Sequence, residues 1–454
     1  MTNSTPLLRI LENKRSEVSR RESDKPLESF KRSLARSNRR FKGGFILECK
    51  KASPSEGLIR PDFDIEQIAR IYSPFAGAIS VLADEKFFQG SLDYLPIVQQ
   101  AANCPVLCKD FVIAPYQVYE ARAYQADMIL LMLSVLDDET YRACAKVAHE
   151  LQMDILTEVH DEQELQRALA LDARIIGVNN RDFKTLKVSL DVSKRLLPLI
   201  PRDRLAIVES GIASHADIRS FNMEPRPPDG FLIGTSLMKV PRIDLALRDL
   251  MFGRVKICGL TSVEDAKDAY DAGAGFGGLI FAPSSPRCID ITPGKQISDA
   301  VPLRWIGVFV NAPVAQVVDY AKTLNLYAVQ IHGEEPESYL EDLRNQLPHN
   351  IEIWRRLTPD SPVGEGTRFV FDTPHPTLRG GTGKTFDWSL IPDTLPKDKI
   401  ILSGGLNPNN VVQADALDFW ALDVNSGVEN APGKKDKEKL KKLFANIMLS
   451  TSSR

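Results

Sequence analysis

Short runs of apolar, β-favouring residues alternate with amphipathic stretches along the first half of the chain. The stretches 65–72 and 138–151 carry apolar residues at helical spacing, whereas the runs between such stretches are apolar at consecutive positions. Continuous apolarity is expected of strands that are covered on both faces. Eight candidate strands follow: Phe45–Glu48, Ala78–Leu82, Pro105–Lys109, Met128–Leu133, Asp154–Glu158, Arg174–Asn179, Leu205–Glu209 and Gly230–Ile233.

The same alternation restarts after Gly253. The second series is Val255–Ile257, Gly278–Phe281, Trp305–Phe309, Ala328–Ile331, Ile351–Trp354, Phe369–Asp372, Ile400–Leu402 and Leu422–Val424. Two series of eight strands that alternate with helices predict an α/β protein of two tandem (β/α)8 TIM barrels, with domains at 1–253 and 254–454. A polar, Arg-rich segment of one long or two short helices precedes the first strand, so we expect an N-terminal helical extension. Periodicity alone leaves a doubly wound sheet open as the alternative.

The composition is that of a globular protein. A length of 454 residues favours two domains, and 43% hydrophobic with 26% charged residues is typical of this class. A net charge of -3 gives no reason to expect a nucleic-acid partner, and no apolar run is long enough to cross a bilayer. The N-terminus lacks the apolar core of a signal peptide. The six cysteines form no CxxC pair and no Cys/His cluster. We therefore expect a cytoplasmic monomer with free thiols, no metal site and no cofactor.

Ionisable side chains collect at the carboxyl ends of the predicted strands in the first half. Glu48 and Lys50 are the clearest case, because they follow directly on the apolar residues 45–47. In a barrel these strand ends meet at one mouth, where active sites lie. The predicted mouth holds Glu48, Lys50, Lys109, Glu158, Asn179, Arg181 and Glu209. Such a set suits general acid–base chemistry, although solvated loop charges are the commoner fate of any one of these residues.

Hydroxyls and glycines follow the last two strands of this half, where barrels often bind phosphate through exposed N–H groups. The residues concerned are Ser210, Gly211, Gly234 and Thr235. Ser53 could add a hydroxyl from the other side. Phe88 and Phe111 follow strands two and three, and they fit core packing and an aromatic substrate wall equally well.

The predicted mouth of the second half carries a different set. Its members are Cys258, Arg287, His332, Asp372, Gly404, Gly405, Asp423 and Ser426, of which the glycines and Ser426 indicate a second phosphate cradle. A lone cysteine on a core strand is usually inert, but Lys256 two residues earlier favours a thiolate that could act as a base. Asp372 would be its acid partner. His332 equally fits a structural histidine, and the glycine loop 380–383 fits a lid or a second anion contact.

Ordered motifs then connect the chain to known families. FILECKKASPS, LCKDF, LTEV, GVNNRD, VESGI and FLIGTSLM resemble indole-3-glycerol-phosphate synthases along the first half. VKICGL, SPRC, GVFVN, VQIHG, FDT, GGTGKTFDW, LSGGL and LDVNSGVE resemble phosphoribosylanthranilate isomerases along the second half. Together they resemble the fused, bifunctional enzymes of tryptophan biosynthesis, which implies small phosphorylated anthranilate substrates.

The isomerase resemblance implies an Amadori rearrangement that opens the ribose ring of phosphoribosylanthranilate. Asp372 would protonate the ring oxygen, and Cys258 would remove the C2′ proton. Arg287 would face the anthranilate carboxylate. Phosphate and substrate contacts would come from Gly404, Gly405, Ser426, Asp423 and His332.

The synthase resemblance implies closure of the indole ring with loss of CO2 and water. Lys109 would be the general acid at the substrate carbonyl, Glu158 the acid/base of dehydration, and Lys50 the partner of the anthranilate carboxylate. Glu48, Asn179 and Glu209 would orient substrate and ammonium groups, Arg181 would position substrate or Asn179, and Phe88 and Phe111 would line the aromatic ring. Ser53, Ser210, Gly211, Gly234 and Thr235 would bind the phosphate.

Two rivals remain for the second half. A histidine-pathway isomerase on the same barrel would want aspartates at the ends of strands one and five, where this chain has Cys258 and Arg355. A barrel kept only for binding or scaffolding would not need both Cys258 and Asp372.

Overall fold

The computed structural model describes residues 5–31, 34–182, 185–358, 364, 366–373 and 385–451. The chain divides into two compact units. The first contains the described residues up to Ala213 together with Asp217–Ala246, and the second contains Ser214–Ala216 with Leu247–Thr451. The domain boundary after Gly253 stays a prediction.

In the first unit, eight parallel strands of the described chain close into a barrel. In chain order they are Gly44–Cys49, Ala78–Leu82, Val106–Lys109, Met128–Met132, Asp154–Val159, Ile175–Asn179, Leu205–Glu209 and Gly230–Ile233. The barrel closes where the last strand pairs with the first, with Gly44 opposite Gly230. Ile46, Leu107 and Leu156 belong to the apolar cluster that fills this barrel. Closure confirms the predicted fold class and excludes the doubly wound sheet.

The N-terminal extension is helical, as predicted, and begins with Pro6–Asp24. Thr5 caps this helix by accepting the N–H of Leu8. The α-helices up to residue 252 are Pro6–Asp24, Glu28–Lys31, Ile65–Tyr72, Glu85–Phe88, Tyr94–Ala101, Pro115–Ala123, Asp138–Glu150, Glu162–Ala170, Asp191–Leu196, His215–Asn222, Thr235–Met238 and Ile243–Phe252, with a 3₁₀ turn at Leu197–Leu199. Aspartates cap several of the helices that follow strands, because their side chains accept first-turn N–H groups; Asp64, Asp84 and Asp161 are examples.

A second closed barrel of eight parallel strands lies in the described part of the second unit. Its strands are Val255–Ile257, Phe276–Ile280, Arg304–Phe309, Ala328–Ile331, Glu352–Leu357, Arg368–Phe371, Ile400–Leu402 and Ala421–Val424. Phe276, Trp354 and Val370 belong to its apolar core. The α-helices are Val263–Ala272, Ile291–Ala300, Val314–Thr323, Glu337–Gln346, Val411–Asp415 and Lys437–Thr451, with 3₁₀ turns at Trp388–Leu390, Lys397–Lys399 and Ser426–Val428.

Two short antiparallel hairpins follow barrel strands at the carboxyl-end side. Ala52–Ser53 pairs with Gly57–Leu58 after the first strand of the N-terminal barrel. Glu429–Ala431 pairs with Lys434–Lys435 after the last strand of the C-terminal barrel. None of the described helices combines the length and apolarity that a bilayer crossing requires.

Candidate active sites

Glu48 is the centre of a buried ion cluster at the mouth of the N-terminal barrel. Its Oε1 lies 2.6 Å from Lys50 Nζ, and its Oε2 lies 2.9 Å from Lys109 Nζ. Burial alone raises the pKa of Glu48, but the Lys109 and Lys50 ammonium groups outweigh it and bring that pKa down to about 2. A Cβ at Gly234 would overlap Glu48 Oε1, so only glycine leaves room for this carboxylate at the end of the last strand. Glu48 is therefore an ionised anchor for two lysines.

Lys109 lies close to two carboxylates that come from different strands of the barrel. Besides Glu48, it lies 3.7 Å from Glu209 Oε2 at the end of the seventh strand. Burial lowers the pKa of Lys109, but Glu48, Glu209 and Glu158 together raise it above its ordinary value. The ammonium therefore carries a proton at neutral pH, as a general acid must.

Glu209 differs from Glu48 in that its pKa is raised rather than lowered. Burial, and next the neighbouring Glu158 carboxylate, raise its pKa to about 8, and the opposing effect of Lys109 does not cancel the increase. Neither carboxylate oxygen has a hydrogen-bond partner in the described part of the chain. A Cβ at Gly177 on the adjacent strand would overlap Glu209 Oε1. The absence of a side chain at Gly177 therefore leaves the space that the Glu209 side chain occupies.

His160 is a site residue that sequence reasoning missed. Its Nε2 lies 3.4 Å from Glu158 Oε1, and its Nδ1 lies 3.3 Å from Glu164 Oε2. Burial lowers the pKa of His160, but the hydrogen bond to Glu164 and the charge of Glu158 raise it to about 9. The available signal was its position two residues after Glu158, because alternate residues of a strand share one face.

Most of the predicted residues line one cleft, which we call the N-terminal cleft. Its lining includes Glu48, Lys50, Ser53, Phe88, Lys109, Phe111, Glu158, Asn179, Arg181 and Ser210. The described lining does not include Glu209, Gly211, Gly234 or Thr235; Thr235 begins the short helix Thr235–Met238. The Phe88 and Phe111 rings lie 6.2 Å apart between centroids. Phe111 belongs to the barrel core and also lines the cleft, so it packs as predicted, and its role as a wall for the substrate ring stays a prediction.

The N-terminal helix is part of this cleft. Pro6 and Ile10 line it, and Lys14 on the same helix is fully buried. Lys14 Nζ lies 2.7 Å from Asp110 Oδ1 and 3.0 Å from Asp84 Oδ2, so it joins the helix to the strand ends next to Lys109. This role of Lys14 was not predicted, because an isolated lysine on a polar helix is usually solvated.

Cys258 directly follows the first strand of the C-terminal barrel and is buried. Burial raises the pKa of its thiol, and the nearby Lys256 ammonium opposes this increase without overcoming it. Lys256 therefore acts in the predicted direction, towards the thiolate, but burial outweighs it and keeps the pKa of Cys258 above its ordinary value in the free protein. Lys256 itself is fully buried and lies 2.8 Å from Asp423 Oδ2.

Asp372 and His332 face each other across the same mouth. His332 Nε2 lies 3.4 Å from Asp372 Oδ2, and the backbone N–H of Thr373 donates to Asp372 Oδ1 at 2.8 Å. Burial raises the pKa of Asp372, but His332 and the Thr373 N–H lower it below its ordinary value. The structure therefore brings His332 to the proposed acid rather than placing it as a separate structural residue.

Arg287 is held by residues of the C-terminal hairpin that sequence reasoning did not single out. Its Nε and Nη2 donate to the Glu429 carboxylate at 2.9 and 2.6 Å, and Lys435 Nζ donates to Glu429 Oε1 at 2.8 Å. The partners come from a segment 142 residues away, which is why no local pattern revealed them.

The predicted residues of this half line one cleft, the C-terminal cleft. They are Cys258, Arg287, His332, Asp372, Gly404, Gly405, Asp423 and Ser426. Gly404 and Gly405 have positive φ angles of 85° and 67°, and a Cβ at Gly404 would overlap Thr373. The glycine loop 380–383 lies outside the described residues. In the described ranges, no three histidine, cysteine, aspartate or glutamate side chains are grouped as ligands of one metal ion.

Comparisons with known proteins match the two halves of the chain to two different families. The family model "Indole-3-glycerol phosphate synthase" matches residues 7–250, and "N-(5'phosphoribosyl)anthranilate (PRA) isomerase" matches residues 255–446. "Tryptophan biosynthesis protein TrpCF" of Haemophilus influenzae is 46% identical, over 98% of this chain and 97% of its own. The protein of the same name from Vibrio cholerae is 47% identical, over 97% and 95%. The crystal structure of a phosphoribosyl anthranilate isomerase from Thermus thermophilus is 33% identical, covering 43% of this chain and 98% of its own with a TM-score of 0.39.

Proposed function

The chain belongs to the indole-3-glycerol phosphate synthase and N-(5'-phosphoribosyl)anthranilate isomerase families, and from this premise we propose how its two clefts perform the two reactions. The protein is a bifunctional enzyme of tryptophan biosynthesis. Its C-terminal barrel isomerises N-(5-phosphoribosyl)anthranilate to 1-(2-carboxyphenylamino)-1-deoxyribulose 5-phosphate. Its N-terminal barrel converts that product to indole-3-glycerol phosphate with loss of CO2 and water.

In the N-terminal cleft, Lys109 is the general acid that gives its proton to the carbonyl oxygen of the deoxyribulose chain. The carbonyl carbon then accepts the electron pair of the aromatic ring carbon that bears the carboxylate, and CO2 leaves. Glu158 serves as the acid/base of dehydration. The observation that carries this assignment is the placing of Lys109 between Glu48 and Glu209, because these carboxylates keep the ammonium protonated and fixed.

The other residues of this cleft bind and orient substrate. Lys50 pairs with the anthranilate carboxylate, and its contact with Glu48 fixes its position. Glu48, Asn179 and Glu209 orient the substrate and the ammonium groups. The phosphate lies against Ser53, Ser210, Gly211, Gly234 and Thr235, the aromatic ring lies against Phe88 and Phe111, and Arg181 positions the substrate or Asn179.

In the C-terminal cleft, Asp372 gives a proton to the ribose ring oxygen. The bond from that oxygen to C1′ breaks, and the nitrogen lone pair forms an iminium ion. Cys258 then removes the C2′ proton, and the resulting enolamine tautomerises to the amino ketone. The positive iminium favours a thiolate at Cys258, which offsets the burial that raises the pKa of this thiol in the free protein.

The same electrostatic reasoning applies to Asp372. His332 lowers its pKa in the free protein, whereas a phosphorylated, anionic substrate that excludes water favours the protonated carboxyl. Arg287 faces the anthranilate carboxylate, and Gly404, Gly405 and Ser426 hold the phosphate. Asp423 contacts the substrate through its Oδ1, which is buried and has no hydrogen-bond partner among the described residues.

The assignment is tested by supplying N-(5-phosphoribosyl)anthranilate to the purified full chain. Indole-3-glycerol phosphate should accumulate, with the carboxyphenylamino-deoxyribulose phosphate as an intermediate that the chain also accepts when it is supplied alone. Failure to convert either compound would contradict the corresponding half of the proposal.

We further propose that the protein acts in the cytoplasm as a monomer on these phosphorylated anthranilates, with neither nucleic acid nor membrane as a partner. All six cysteines are free thiols, and Cys258 must remain one to act as a base. Light scattering coupled to size-exclusion chromatography tests the monomer, for which we expect a mass near 50.6 kDa.

A further inference from the structure

A buried hydrogen-bond chain crosses the floor of the C-terminal cleft. Lys256 Nζ lies 2.8 Å from Asp423 Oδ2 and 2.6 Å from the amide group of Gln330. The same amide group lies 3.1 Å from His332 Nδ1, and His332 Nε2 lies 3.4 Å from Asp372 Oδ2. All five side chains are buried. The chain therefore runs from Lys256 to the proposed general acid through the Gln330 amide and the His332 ring.

The direction of every hydrogen bond in this chain follows from the lysine. An ammonium group can only donate, so the Gln330 atom that faces Lys256 is the amide oxygen. The amide nitrogen, which can only donate, then faces His332 Nδ1, and this ring nitrogen accepts with its lone pair. A neutral imidazole carries one proton, which is thereby assigned to Nε2 and points to Asp372. The assignment depends only on donor and acceptor chemistry.

We propose that Gln330 is a positioning residue of the isomerase site: held by Lys256, it keeps His332 in the Nε2–H tautomer that donates to Asp372. The catalytic part of this inference rests on the proposed role of Asp372 as general acid. When Asp372 gives its proton to the ribose ring oxygen, the new carboxylate meets a donor that is already in place. The other tautomer would present a lone pair to that carboxylate, and both groups would then lack a proton between them.

Gln330→Glu is the variant that separates this role from simple packing. The new carboxylate has nearly the same shape and still accepts from Lys256, but it presents only acceptor atoms to His332. At a pH where the His332 ring holds a single proton, which is the condition for comparing the variants, that proton should move to Nδ1 towards the new carboxylate, and Asp372 loses its donor. Gln346→Glu is the matched control, because it makes the same substitution at the exposed end of the helix Glu337–Gln346.

The tautomer is read from long-range ¹H–¹⁵N correlation spectra of the histidine rings in the full-length protein, with His332→Asn to identify the His332 signals. We expect an Nε2–H pattern in the wild type and in Gln346→Glu, and an Nδ1–H pattern in Gln330→Glu. An Nδ1–H ring in the wild type, or an unchanged tautomer in Gln330→Glu, overturns the proposal. If Gln330→Glu does not fold, the wild-type spectrum alone decides.

Kinetics test the consequence for catalysis. The isomerase kcat of Gln330→Glu should fall by about 10- to 100-fold, the usual effect of losing a residue that orients a catalytic group, while KM stays within about twofold. Synthase turnover of supplied intermediate should not change. A wild-type isomerase kcat in Gln330→Glu contradicts the positioning role. Full isomerase activity in Asp372→Asn would instead refute the general acid and leave the tautomer assignment standing, so the two failures are distinguishable.

Discussion

Replacing Glu48 with glutamine tests the electrostatics of the N-terminal cleft. Lys50 and Lys109 contact this carboxylate at 2.6 and 2.9 Å, and despite burial they bring its pKa from the ordinary 4.5 to about 2. The difference corresponds to about 3 kcal/mol in favour of the ionised carboxylate. Glu48→Gln keeps the shape and removes the charge, so the lysines lose an interaction that is larger than this net value, because the shift already includes the opposing effect of burial.

We expect the loss to appear in the pH dependence of the synthase reaction. Lys109 must be protonated to act as an acid. Burial lowers the pKa of Lys109, and Glu48 is the first of the carboxylates that raise it. Without Glu48, the alkaline limb of kcat should move to lower pH by about one unit or more, since Glu209 at 3.7 Å retains part of the effect.

The assay is synthase kcat against pH on supplied intermediate, and the isomerase reaction of the same molecules is the internal control. Glu66→Gln is the matched variant, because it removes a carboxylate from an exposed ion pair with Arg70. Such pairs contribute less than about 1 kcal/mol, so neither reaction should respond. An alkaline limb in Glu48→Gln that coincides with that of the wild type would refute the assigned role of Glu48 and Lys109.

Four further predictions follow from the two clefts. Cys258→Ser should lower isomerase kcat by ~10²–10⁴-fold and leave synthase turnover of supplied intermediate intact; a drop of less than about tenfold would mean that the base is misassigned. Lys109→Ala should abolish the synthase but not the isomerase, and loss of both would show that the sites are not independent. The folded-state pKa of Glu48 lies below its unfolded value, so ionised Glu48 stabilises the folded protein above pH 4.5, and this contribution is lost as pH falls towards 2. The free energies of unfolding of the wild type and Glu48→Gln, measured against pH, should therefore converge between pH 4.5 and 2. Dialysis against EDTA should leave both reactions unchanged, and abolition of either would reveal a required metal.

The sequence predicted the two barrels well because their strands are apolar at consecutive positions. The end of a strand was mispredicted where charged residues interrupt the apolar run. The fifth strand of the C-terminal barrel was predicted to end at Trp354 but extends to Leu357. The predicted strand stopped before the charged residues Arg355 and Arg356. In the structure Arg355 pairs with Glu337 of the preceding helix, so a charged residue can lie within the strand. Only the folded chain supplies that partner.

Site residues were predicted where an ionisable side chain lies at the end of a strand. They were missed where the role of a side chain depends on partners that are distant in the sequence. Glu48 and Lys109 could be read from their positions alone. Lys14 could not, because its partners Asp84 and Asp110 follow two other strands. Gln330 was overlooked because a glutamine on a buried strand carries no charge and becomes informative only when its two neighbours are known.

Each cleft contains a lysine paired with a carboxylate, but the two lysines have different roles, and the difference follows from how far each is exposed to solvent. Each lysine is on a barrel strand and is paired with a carboxylate, Lys109 with Glu48 and Lys256 with Asp423. The Lys109 side chain keeps 18% of its exposure and lines the cleft, so its proton can reach a substrate. Lys256 has 0% exposure and contacts protein groups, so its protons can only orient neighbours. A lysine that touches no substrate can still govern catalysis, because it fixes the direction of hydrogen bonds that end at the acid.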